Sequence, residues 1–138
     1  MSKFKNMTTK TIITDAIAIA EAHLTPDSYI MTLVANKNDW KYGVKETGKE
    51  IVKKLCEDPK EPVKVFTYKP WWRYSKAIGF FDGKAIHINL YRMSDDPHEI
   101  AKNLCHEACH ASGFSHGSNF PNKDKDLYSV PYFVSSNL

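Results

Sequence analysis

The sequence predicts an α+β domain: helices packed on a small twisted sheet, with one helix, near residues 96–112, closing a side of it. Three observations predict this. Apolar residues recur at helical spacing between residues 11 and 55. From Pro62 the pattern changes to alternation, and Asp82-Gly83 stands between two alternating runs, the strongest short-range hairpin signal. Asp96-Pro97 then opens a further helical stripe of Ala101, Leu104, Cys105 and Ala108. A chain of 138 residues suits one compact domain, 1–138, with a single core.

In chain order, Thr11 to Thr14 fits either a short strand or the start of a helix. Ile17, Ala20 and Leu24 have helical spacing, and Thr25-Pro26 interrupts that helix and can begin another. Tyr29, Ile30, Leu33 and Val34 share one helical face, although their β-branched content also allows a strand. Val44, Gly48, Ile51, Val52 and Leu55 make a clearer stripe, ended by Asp58-Pro59. Glu50 and Lys54 stand four apart in the favourable order for an ion pair, and Lys49, Lys53 and Lys54 read as the wet face.

Val63, Val65 and Thr67 alternate with Lys64, Phe66 and Tyr68. Lys76 to Phe81 and Lys84 to Leu90 flank the Asp-Gly turn; Ile86, Ile88 and Leu90 should face the core, with His87 and Asn89 opposite. Ahead of this hairpin, Trp71-Trp72-Arg73-Tyr74 is either a loop whose aromatics cover the core or a stacking surface. Asp96-Pro97-His98-Glu99 reads as a capping box with proline at the first helical position.

Net charge is +3 with mixed signs, too mild to imply nucleic acid by itself. An odd three cysteines, two of them close together on one helix, argue against a disulfide framework and for a reducing compartment, the cytoplasm. The apolar run after the basic amino end is broken by Asp15 and Glu21, so neither a signal peptide nor a membrane span is expected. Room for a removable inhibitory pro-segment is not expected either.

Chemistry concentrates between Cys105 and His116. On a helix, His106 and His110 lie nearly above one another and present two imidazoles to one point. Glu107 sits about 100° round the axis from His106, near such a metal without having to bind it. Gly113 can end the helix at the left-handed cap and let the chain deliver His116 as a third nitrogen. Asp124 or Asp126 could be the third ligand instead. Three protein ligands and one open position is the arrangement of a catalytic zinc, whereas structural zinc is closed by four. Cys105 and Cys109 each point about 100° from a neighbouring histidine, so one helix cannot aim all four side chains at one ion; they read as small core residues.

H-E-x-x-H-x-x-G-x-x-H over His106 to His116 resembles the extended zinc signature of the metzincin metallopeptidases, a branch of the zincins. The resemblance implies a small zincin-like domain, one Zn²⁺ per chain bound by His106, His110 and His116, and Glu107 as general base. It also implies an edge strand beside the cleft that pairs with extended substrate. Metzincins carry a Met-turn after the third histidine; here the last methionine is Met93. Val130-Pro131-Tyr132 is expected to pass under the metal in its place, and Tyr132, or alternatively Tyr128, to stand near the zinc as a tyrosine does in astacin-like members.

The implied activity is hydrolysis of peptide bonds in a peptide or protein substrate. Zinc would polarise the carbonyl and acidify its water, and Glu107 would carry the proton to the leaving amine. Two other readings stay open: a zinc-stabilised binding protein without turnover, and a small nucleic-acid-binding module using the basic aromatic segment 69–76.

Overall fold

The computed structural model describes residues 3–41, 44–71, 78–116 and 127–138. In chain order these form β1 (Phe4–Asn6), α1 (Thr11–His23), α2 (Tyr29–Asn36), α3 (Gly48–Cys56), β2 (Val63–Tyr68), β3 (Gly79–Phe81), β4 (Ala85–Asn89), α4 (Pro97–Ala111) and α5 (Val130–Ser136). The sheet order is β1-β2-β4-β3, with β1, β2 and β4 parallel and β3 antiparallel to β4 at one edge. This is the α+β class that the change of periodicity predicts. Among the described residues no helix is long and apolar enough to cross a membrane.

Both ambiguous segments are helical. Thr11 to Thr14 forms the first turn of α1, and Ile13, Ala16, Ile17 and Ala20 make its buried face. Tyr29–Asn36 is α2, capped by the Ser28 hydroxyl, which accepts from the Met31 N–H at 3.2 Å. Burial on one face outweighs the weak β preference of its branched residues. α3 starts at Gly48 rather than Val44, because Thr47 and Glu50 form a reciprocal capping box. Glu50 is therefore occupied at the cap, and Lys54 pairs with Glu46 at 2.6 Å instead of with Glu50.

Strand β1 lies in the polar amino end, where alternation is too short to read. Phe4 is buried, and the parallel register places Phe4 beside Val63 and Asn6 beside Val65. The hairpin between β3 and β4 has a three-residue loop, Asp82-Gly83-Lys84, with Gly83 at φ 95°. The Asp82 carboxylate accepts from the N–H groups of Lys84 and Ala85 at 2.8 and 2.7 Å. β4 ends one residue earlier than its pattern implies. Asn89 is buried, and its side chain accepts from the Tyr91 N–H, turning the chain so that Leu90 is only half-buried.

The buried apolar residues form one cluster from Phe4 to Val134, with Val65, Ile86 and Ile88 of the sheet meeting the helices. α1 packs along α4. Small side chains let these two helices approach, and Cys105 Sγ lies 3.9 Å from the Ala20 carbonyl oxygen. On the other face of the sheet His87 is stacked between Phe66 and Phe80 and bonded to Asp82. Trp71 is exposed; Trp72, Arg73 and Tyr74 lie outside the described residues, as do Lys76 and Ala77 of the expected strand.

Candidate metal centre

α4 carries two of the three imidazoles. Asp96 caps it by accepting from the His98 N–H at 2.9 Å, and Pro97 occupies the first turn. The expected box is half-formed: the Asp96 N–H goes to Ser94 Oγ, and Glu99 pairs with Lys102. Ile100, Ala101, Leu104 and Cys105 face the core, which turns His106, Glu107 and His110 toward a cleft. Cys105 and Cys109 are fully buried, burial pushing the Cys105 thiol up to about 12 and Cys109 in the same direction. They are packing residues.

The carboxyl end of α4 is a Schellman motif. The Phe114 N–H bonds to the Cys109 carbonyl and the Gly113 N–H to the His110 carbonyl, with Gly113 at φ 97°. Phe114 is buried, anchoring the turn, and its carbonyl accepts from His110 Nδ1 at 2.9 Å. The chain then returns His116 to the other two histidines. One potential ligand atom from each of His106, His110 and His116 lies within 4.8 Å of the others. Nε2 of His106 and Nε2 of His110 are 3.3 Å apart, about the separation of two nitrogens held at 2.0–2.1 Å in a tetrahedron. Asp124 and Asp126, the alternative third ligands, fall outside the described residues.

The donor chemistry also fits a metal. Burial holds His106 down to about 3, reinforced by His110 and His116 and opposed by a bond to the Pro131 backbone. Burial also lowers His110, against its bond to Phe114. Both rings are therefore neutral at neutral pH. Proline has no N–H, so the Pro131 carbonyl is the acceptor for His106, as the Phe114 carbonyl is for His110. Each carbonyl fixes a tautomer and leaves the other ring nitrogen as a lone pair, the usual outer support of metal-binding histidines.

Val130-Pro131-Tyr132 forms the first turn of α5, capped by Ser129. The Tyr132 ring centroid lies 4.6 Å from those of both His106 and His116. Tyr128 is elsewhere, under the ammonium groups of Lys37 and Lys41. His87 and Asn89, on the outer side of the sheet, do not join the cluster.

Glu107 is buried beside the imidazoles. Burial pushes its carboxyl up to about 7, opposed by a hydrogen bond from the Phe81 backbone. That bond links the helix to β3. The Ile78 carbonyl and the Asp82 N–H face β4, so the alternating ladder directs the peptide groups of Gly79 and Phe81 to the other edge, open among the described residues. The open edge forms one wall of the cleft.

Sequence reading missed this second layer: the carbonyls of Phe114 and Pro131 and the N–H of Phe81 are backbone groups without a side-chain signature. It also missed Lys102 and Asn103, which line the cleft one turn before His106 and for which helical spacing was the available signal. Comparison of the chain with family models, curated proteins and solved structures gave no match.

Proposed function

We propose that the chain is a zinc-dependent metallopeptidase of zincin type, hydrolysing peptide bonds. The observation that carries this reading is the convergence of three imidazoles beside a buried carboxyl, opposite a strand edge that is unpaired among the described residues. His106, His110 and His116 would hold one Zn²⁺. When bound, that ion supplies a Lewis acid for the scissile carbonyl and lowers the pKa of a coordinated water. An extended peptide lies along β3, exchanging hydrogen bonds with the Gly79 peptide group. Glu107 accepts the proton of the attacking water and returns it to the amine nitrogen as the C–N bond breaks. Its carboxylate is the group that moves the proton, and the Phe81 N–H keeps it aimed into the cleft. Tyr132, whose ring lies beside those of His106 and His116, would donate its hydroxyl hydrogen to the oxyanion. A cleft of about 1140 Å³ has room for several substrate residues.

Elemental analysis of protein purified without added metal tests the first half: about one zinc per chain is expected. An unstructured protein substrate tests the second. Cleavage is expected, and Glu107→Gln should lower it roughly 10²–10⁴-fold with zinc content unchanged. Metal without cleavage would identify a binding protein; no metal would overturn the reading.

A further inference from the structure

The two walls of the cleft differ in chemistry. The strand wall offers Ile78, Phe80 and Phe81 around the Gly79 backbone, whereas beyond the histidines, Glu107 and Tyr132 the helical walls offer only polar side chains. These are Glu99, Lys102 and Asn103 from α4 and Ser135 and Ser136 from α5. Lys102 and Asn103 precede His106 by four and three positions, which puts them one helical turn, about 5–6 Å, along the same face. That is side-chain distance from a bond being cleaved at the histidines.

Resting on the peptidase reading, we propose that Lys102 and Asn103 form a subsite for an uncharged hydrogen-bonding side chain, a carboxamide above all, next to the scissile bond. Lys102 Nζ pairs with Glu99 at 3.2 Å, so the two formal charges cancel. A carboxylate entering there meets Lys102 but also Glu99, and an ammonium meets the reverse. A carboxamide offers an acceptor to Lys102 and a donor to Glu99 or the Asn103 carbonyl at once. Asn103 has capacity to spare, since among the described residues its amide makes only a long 3.5 Å bond to the Glu99 carbonyl. An aliphatic side chain would displace water from Lys102 and Asn103 and give no hydrogen bond back.

The test uses the full chain loaded with zinc and reads binding by calorimetry, so turnover is not needed. Acetohydroxamate, which can only chelate the metal, is titrated first. Three peptide hydroxamates follow, identical except for a glutamine, leucine or glutamate side chain. The glutamine compound should bind at least about tenfold tighter than the leucine compound, with glutamate between them. In the Lys102→Met, Asn103→Leu double variant the order of glutamine and leucine should reverse, a gain of affinity for leucine that misfolding cannot produce. A leucine compound that binds wild type as tightly as glutamine, or an order that survives the double variant, would overturn the subsite and leave the peptidase reading standing. Failure of acetohydroxamate itself to bind would overturn both.

Discussion

The Phe114 carbonyl accepts a hydrogen bond from His110 Nδ1 at 2.9 Å, so the residue that closes the helix also orients an imidazole of the cluster. Helix termination and alignment of the histidine cluster are one event here. Gly113 at φ 97° makes the turn, Phe114 is buried by it, and His116 is returned two residues later. Among the described residues a side chain at Gly113 meets no neighbour, so the effect of substitution there is conformational.

Gly113→Ala should therefore cost about 1–2 kcal/mol from the left-handed backbone alone. It should also weaken metal binding roughly tenfold, because the Phe114 carbonyl and His116 both depend on the turn. Thermal unfolding of the metal-free protein reads the first effect and competitive zinc titration the second. Equal loss of stability with unchanged zinc affinity would separate the turn from the site.

Tyr132 contacts His106 and His116 through its ring, and the peptidase reading gives its hydroxyl a separate task. Tyr132→Phe keeps the ring, so zinc affinity should hold while the rate of cleavage falls roughly 10²-fold. Tyr132→Ala removes packing as well and should lower both. A phenylalanine variant with wild-type turnover would remove the hydroxyl from the chemistry.

The histidine cluster was legible because its members sit at fixed offsets around one helix and one glycine turn, where sequence spacing is spatial spacing. The hairpin and most helices were legible through periodicity and caps. β1 was not: three residues, Phe4 to Asn6, are too short for alternation to show, and their strand state depends on pairing with Val63 to Val65 far along the chain. The end of β4 was misread because Asn89 is buried with its side-chain oxygen accepting from the Tyr91 N–H of its own turn, which apolar counting cannot detect. The same limit applies at the site, where the supports of His110 and His106 are carbonyls supplied by Phe114 and Pro131.

Gly48 illustrates a constraint that only packing reveals. A Cβ there would lie 2.4 Å from the Ala35 carbonyl oxygen and 2.7 Å from that of Val34, both backbone atoms at the end of α2. Alanine is better than glycine in a helix by about 1 kcal/mol, but α2 and α3 would have to separate to admit it. Gly48→Ala should destabilise by about 1–3 kcal/mol, read as a lower midpoint in urea with unchanged slope. Stabilisation would mean that the two helices can slide apart without loss.

Asp82 gives the fold a pH dependence that can be isolated. Its carboxylate accepts from the Ala85 N–H, from His87 and from the Lys84 N–H, and these hold its pKa down to about 2 from an ordinary 3.8. A carboxyl with a lowered folded pKa stabilises above its unfolded value and loses that contribution as pH falls toward the folded one. The contribution should thus be complete above pH 3.8 and vanish as pH approaches about 2. Asp82→Asn keeps one acceptor oxygen and removes the titration. The variant should unfold at a lower temperature than wild type at pH 5, and the gap should narrow steadily on acidification through that window. A gap that stays constant from pH 5 to pH 2 would mean that the charge of Asp82 adds nothing beyond its oxygen atoms, and that the turn rests on Gly83 and the strand ladder alone.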